Sequence, residues 1–213
     1  ISRSILSALL LSLILDNIII ELHHELNGFT KIFFNFLKKF PYFKKVKIIF
    51  ISKNLKYKFN LQNNKCIILD DAVDLDNFKF NKNKINYKNK CVYCGSFAKG
   101  KGLENIVNFS SYLDNIKIDL YGDFANSNFT QDSLKQYKNI SYKGYVKYKN
   151  IPNILNKYKV LLLPYSKNVY VRSKNIETGK YMSPMKLFDY LASKKIIIAS
   201  DLPVYKHILT KKN

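Results

Sequence analysis

Arginine is nearly missing from this 213-residue chain: of 36 basic residues, only Arg3 and Arg172 are Arg. There is thus no arginine-rich arm, and the net charge of +21 is lysine spread along the whole sequence. Abundant Asn, Ile, Tyr and Phe accompany it, as an A/T-rich coding sequence would produce. The charge reads as a generally basic surface, attractive to phosphates and anionic head groups, rather than as a dedicated nucleic-acid face. Cysteine is limited to Cys66, Cys91 and Cys94. The last two have C-x-x-C spacing, but no second pair exists to complete a tetrahedral metal site. On a strand, residues three apart also point to opposite faces. The expectation is buried, reduced thiols and no metal. Neither G-x-x-x-x-G-K-[ST] nor G-x-G-x-x-G occurs, which excludes a P-loop and the simple dinucleotide fingerprint. No signal peptide is present. The apolar run 5–15 is too short to span a membrane, ends at Asp16 and Asn17, and reads as a buried helix. The chain opens on Ile1 rather than Met and stops at Asn213 just after a helix-like stretch. Both ends are expected to be truncations.

What is present is alternation. Helical patterns are expected over 4–15 and 30–40, the second with apolar Ile32, Phe33, Phe36, Leu37 and Phe40, stopped by Pro41. Strands are expected at 18–20, 46–51 and 66–69, with Ser52 as a helix cap. Three strands in residues 1–75 are too few for a complete α/β domain. An Asn/Lys-dense linker, 77–90, marks a boundary, giving domains 1–79 and 80–213. Beyond it come strands at 91–94, 116–121, 140–142, 160–163 and 196–199. They alternate with helices at 103–113, 151–157, 184–193 and 204–209. That is the βαβ pattern of a doubly wound parallel sheet, which holds ligands at the carboxyl ends of its strands.

Two segments carry chemistry. In Tyr181-Met-Ser-Pro-Met-Lys-Leu-Phe-Asp-Tyr-Leu-Ala192, Ser183 suits an N-cap and Pro184 the first helical position. Met185, Phe188, Leu191 and Ala192 form an apolar stripe. Lys186 in the first turn opposes the helix dipole by roughly 0.3–1 kcal/mol unless an anion occupies that terminus. Asp189 lies one turn on, about 4.5 Å along the axis, where it could meet a ribose diol. The alternative is a solvated Lys–Asp surface pair. The second segment is Tyr93-Cys-Gly95-Ser96-Phe-Ala-Lys-Gly-Lys101-Gly102-Leu103, a strand entering a small-residue loop. Gly95 and Gly102 permit close backbone approach to a ligand, and Lys101 supplies charge.

In this order the segments resemble glycosyltransferase family 4 (group 1), enzymes of GT-B fold. The S-P-x-K-x-x-E-Y variant is the nearest pattern, and the resemblance covers nearly the whole chain. It implies an α/β fold of two Rossmann-like domains. The first, 1–79, would be the incomplete acceptor-binding part, and 80–213 the nearly complete donor-binding part. It implies transfer of a glycosyl group from a nucleotide sugar, such as a UDP- or GDP-sugar, to a saccharide or lipid-linked acceptor hydroxyl. Configuration would be retained, with no metal and no cofactor. Lys101 and Lys186 would bind the diphosphate, Gly95 and Ser96 would line it, and Asp189 would take the ribose. Gly144-Tyr145-Val146 resembles the turn that meets the nucleobase, and 160–165 the strand ending in Pro-Tyr. Ser96 stands where many members carry Arg, Asp189 where Glu is usual, and Tyr181 where the E-x7-E pattern has an acid. Ile20-Glu21-Leu22-His23 resembles the E-x-H end of an acceptor-domain strand, which makes His23 the catalytic candidate with His24 its competitor. The implied setting is envelope or extracellular polysaccharide or glycolipid synthesis, in the cytoplasm with peripheral contact at the inner membrane face. No nucleic acid is expected. The alternatives are a sugar-nucleotide epimerase of the same fold and a basic nucleic-acid-binding module.

Overall fold

The computed structural model describes residues 1–59, 61, 66–79, 87–113, 115–171, 174–177, 179 and 181–210. These divide into two compact units, one of residues 1–71 with 181–183 and one of 72–180 with 184–213. The division falls after Asp71, upstream of the expected 79/80 boundary, and 80–86 of the expected linker lie outside the described residues.

The first unit runs α1 (Ile5–Leu11), β1 (Ile19–Leu22), α2 (Gly28–Leu37), β2 (Lys47–Phe50), α3 (Lys53–Phe59) and β3 (Cys66–Ile68). The strands form one parallel sheet in the order β1-β2-β3. Alternate residues Ile20, Leu22, Ile48 and Phe50 are buried, the period-2 signature of a strand with one face on a core. Ser52 caps α3, its Oγ accepting the Leu55 N–H at 3.2 Å. Two helix expectations need correction. Helix α1 is not buried: it ends at Leu11, only Ala8 and Leu9 are covered, and Ile14 is 82% exposed. In α2, Ile32 and Phe36 face outward and Phe34 is buried instead. The reason is packing. Phe34 sits edge-on between Phe43 (5.4 Å) and Phe59 (5.6 Å), and this aromatic wedge selects the inward face.

The second unit runs β4 (Tyr87–Cys94), α4 (Leu103–Ser110), β5 (Lys117–Tyr121), α5 (Gln131–Leu134), β6 (Ile140–Tyr142), α6 (Ile151–Leu155), β7 (Tyr158–Leu163), the short hairpin β8 (Tyr170–Val171) and β9 (Lys174–Glu177), α7 (Met185–Ala192) and β10 (Ile196–Ala199). Its five-stranded sheet is wholly parallel, in the order β10-β7-β4-β5-β6. The chain therefore starts in the middle, winds out through β5 and β6, then reverses to β7 and β10. That reversal makes the carboxyl ends of β4 and β7 the topological switch point, where such sheets hold ligands. β4 begins at Tyr87, ahead of the expected Cys91. The expected helix at 204–209 is instead a short 3-10 turn, Pro203–Tyr205, that buries Val204 and Tyr205. Inside β5, Asp119 is buried; its Oδ2 accepts the Tyr158 hydroxyl at 2.7 Å, with Lys90 and Lys143 at 3.5 and 3.7 Å. Cys91 and Cys94 are buried free thiols on β4.

The apolar stripe expected on α7 is only partly the inward face: Phe188 and Ala192 are half-buried. Met185 and Leu191 are exposed, while Leu187, Asp189 and Tyr190 are buried. Tyr190 turns inward because its hydroxyl accepts the Cys94 N–H at the end of β4, at 3.1 Å.

Candidate nucleotide-binding site

β4 delivers Tyr93, Cys94 and Gly95 to the switch point. Gly95 has φ +145°, a conformation L side chains rarely adopt, and its N–H donates to the Tyr121 carbonyl at 2.8 Å. The loop closes at Gly102, φ +102°, whose missing side chain leaves room for the Pro164 carbonyl at the end of β7. The Ser96 hydroxyl accepts the Ala98 N–H at 3.2 Å and the Ser96 carbonyl accepts the Tyr93 hydroxyl at 2.9 Å, so Ser96 stiffens the loop.

Into this frame α7 projects Lys186. Its residue surface is only partly covered, but Nζ is sealed from solvent and has no hydrogen-bond partner among the described residues. The ammonium lies 3.7 Å from the centroid of the Tyr93 ring and 5.3 Å from that of Tyr165. A Cβ on Gly95 would collide with this ammonium, so the glycine is what admits it. The Lys101 ammonium lies 5.4 Å from the same Tyr165 ring. Burial pushes the Lys186 pKa well below the usual lysine value, and the Lys101 charge adds to the effect; burial also lowers Lys101. Among the described residues neither ammonium has a carboxylate in ion-pair range. Two ammoniums around one aromatic ring, one of them sealed from solvent, form a site that an anion would complete.

Asp189, 8% exposed, lies one turn further along α7. The Tyr148 hydroxyl donates to its Oδ1 at 2.7 Å. Burial raises the Asp189 pKa, against the lowering effect of Tyr148 and of the Lys186 charge. The solvated Lys–Asp surface pair is thereby overturned: Asp189 and the Lys186 ammonium are both buried.

Ser183 is not the N-cap. The cap position belongs to Pro184, without a side-chain hydrogen bond, and α7 begins at Met185. The Ser183 hydroxyl instead accepts the Asp71 N–H at 2.8 Å, within the first unit. Tyr145 and Val146 follow Gly144 beyond β6; Tyr145 is 65% exposed and Val146 half-buried. The Gly144 carbonyl accepts the Gly122 N–H at 3.1 Å, which ties this turn to β5.

His23 belongs to the first unit, immediately after β1. Its Nε2 and Glu21 Oε1 are 2.9 Å apart, and Glu21 Oε2 receives Arg3 Nε at 3.2 Å. Glu21, His23 and Asp71 each offer a ligand atom within 4.8 Å of the others. His24 points elsewhere, its Nδ1 2.9 Å from the Glu25 carbonyl, and is exposed. Sequence reasoning missed the partners: Tyr93 and Tyr165 as the cation platform, Tyr148 on Asp189, and Asp71 near His23. Tyr165 had a signal, the apolar strand ending in Pro-Tyr. Tyr148 had none.

No protein-family model matches the chain, and no curated protein matches it. Solved structures do. A glycosyltransferase from Rickettsia africae aligns with TM-score 0.64 at 15% identity, over 97% of this chain and 64% of its own. The sucrose-phosphate synthase of Thermosynechococcus elongatus aligns with TM-score 0.60 at 11% identity, over 89% and 51%. WaaG, a glycosyltransferase involved in lipopolysaccharide biosynthesis, aligns with TM-score 0.59 at 12% identity, over 91% and 58%. The chain thus spans about half to two thirds of the length of these structures. At such identities the likeness establishes fold: this is an α/β chain of GT-B type, with parallel Rossmann-like sheets.

Proposed function

We propose that this chain is part of a glycosyltransferase that moves a sugar from a nucleotide-sugar donor to an acceptor hydroxyl. The observation that carries the reading is the pair of ammoniums, Lys101 and the solvent-sealed Lys186, without acid partners among the described residues at the switch point of the second sheet. A donor diphosphate is the anion that fits. Lys186 and Lys101 would stabilise the charge developing on the leaving diphosphate, in a site where desolvation strengthens each contact. The first turn of α7 would add the Met185 and Lys186 N–H groups, since those of Leu187 and Phe188 donate to the Pro184 carbonyl. Lysine charge substitutes for a divalent ion, so the donor site works without metal. Asp189 would accept from the ribose hydroxyls, and the turn carrying Tyr145 and Val146 would lie against the base. His23, held by Glu21, would act at the transferred sugar, with retention of configuration.

The acceptor is a saccharide or a lipid-linked saccharide of envelope or extracellular polysaccharide synthesis. The solved relative involved in lipopolysaccharide biosynthesis and the net charge of +21 support this choice. Among the described residues no helix is long and apolar enough to cross a membrane. Contact with an anionic inner-membrane face would therefore be peripheral. The test is a titration of the full chain with UDP-, GDP- and ADP-sugars. Saturable binding of one of them, lost in Lys186→Ala and Lys101→Ala, supports the reading. Failure of all three to bind sinks it.

A further inference from the structure

We propose that Tyr148 is a specificity-determining residue of the nucleotide site: its hydroxyl, 2.7 Å from Asp189 Oδ1, fixes the carboxylate so that Oδ2 is presented to a ribose hydroxyl. The proposal rests on the donor-site reading above and deepens it. Asp189 is 8% exposed, whereas Tyr148 is 54% exposed, so the phenol closes over the carboxylate from the solvent side. The two come from separate elements: Tyr148 opens the 3-10 turn Tyr148–Asn150 that leads into α6, and Asp189 is on α7. A bond between them holds the 144–150 segment, with Tyr145 and Val146, in register with the helix. Oδ2 has no hydrogen-bond partner among the described residues, which leaves it as the open acceptor.

The chemistry recognised is a vicinal diol on a ribonucleotide. A carboxylate with one oxygen fixed by a donor discriminates hydroxyl from hydrogen at one position, because loss of that hydroxyl leaves the second oxygen unpaired in a desolvated site. Asp189 must be ionised to act so. Burial raises its pKa, while the Tyr148 hydrogen bond and the Lys186 charge lower it. The other titratable groups near it are Cys94 at the end of β4, Tyr165 beyond β7 and Tyr190 beside it on α7; Asp74 faces Tyr148. Without Tyr148's hydroxyl the carboxylate both rotates and takes up a proton more readily.

The experiment compares wild type with Tyr148→Phe as full chains, titrated with UDP and GDP and their 2′-deoxy analogues. Wild type should prefer the ribonucleotide. Tyr148→Phe should bind it about three- to tenfold more weakly and should lose most of the preference. A second readout needs no nucleotide: the Asp189 carboxyl-carbon NMR titration midpoint should move up in Tyr148→Phe. An unchanged ribose preference with wild type binding normally, or an unmoved midpoint, overturns the proposal while leaving the donor site standing. Wild type that binds neither these nucleotides nor an ADP-sugar overturns the donor reading, and this proposal with it.

Discussion

The Lys186 ammonium faces the Tyr93 ring at 3.7 Å and, among the described residues, finds no hydrogen-bond acceptor. A cation over an aromatic face recovers part of its lost hydration, on the order of 2 kcal/mol when desolvated. Burial still pushes its pKa well down, so the charge is held at a net cost in the empty protein.

Lys186→Met should therefore divide binding from stability. Nucleotide affinity should fall about ten- to a hundredfold, since a charge-assisted hydrogen bond contributes about 1.5–3 kcal/mol. The nucleotide-free protein should become more stable by roughly 1–3 kcal/mol, because an unsatisfied buried donor is removed. Calorimetric titration and urea melts of the two proteins check both halves.

The same group makes a pH prediction. A lysine whose folded pKa is depressed is protonated more readily in the unfolded chain. Wild-type stability should then rise as pH climbs from the folded pKa of Lys186 toward the ordinary value of 10.5. Lys186→Met lacks this contribution, so its advantage should be largest at pH 7 and should shrink toward pH 10. A gap that widens with pH would reverse the assignment.

Gly95→Ala and Gly122→Ala should behave differently. At Gly95 a Cβ collides with the end of the Lys186 side chain, which can swing away, and touches the Tyr93 hydroxyl at ordinary contact distance, although φ +145° is strained. The expected result is a folded protein, destabilised by roughly 1–3 kcal/mol, with nucleotide binding largely lost. At Gly122 a Cβ meets the Gly95 carbonyl, which cannot yield without parting the β4 and β5 ends. Gly122→Ala should be the more destabilising in thermal melts.

Thiol reactivity should rank by burial. Burial raises the Cys94 thiol to about 12 and also raises Cys91, while Lys56 moderates the half-buried Cys66. At pH 8 an aromatic disulfide reagent should titrate one thiol per native chain, removed by Cys66→Ser, with the other two appearing on unfolding.

His23→Ala should abolish turnover in the complete enzyme while leaving nucleotide affinity within about twofold of wild type, since His23 belongs to the first unit and the paired ammoniums to the second. Equal loss of both would remove His23 from the chemistry.

The sequence by itself determined the chain order of the five sheet strands of the second unit, the helices α4, α6 and α7 among them, and the loops that carry Gly95, Lys101 and Lys186; it missed α5 and the β8–β9 pair. Alternation of apolar strands with helical stretches is a local signal, and glycines at strand ends mark turns whatever packs around them. It did not determine which helix faces turn inward. Met185 and Leu191 of the expected α7 stripe are exposed because Tyr190 finds the Cys94 amide, and the α2 stripe is turned because Phe34 fits between Phe43 and Phe59. Nor could it pair Tyr148 with Asp189, 41 residues apart, or set Lys186 over Tyr93, since such pairs exist only once β4, β7 and α7 are stacked. The cap expected at Ser183 is absent for a like reason: capping is a local preference of about 0.5–2 kcal/mol, and the hydroxyl accepts the Asp71 amide, a tertiary partner, instead.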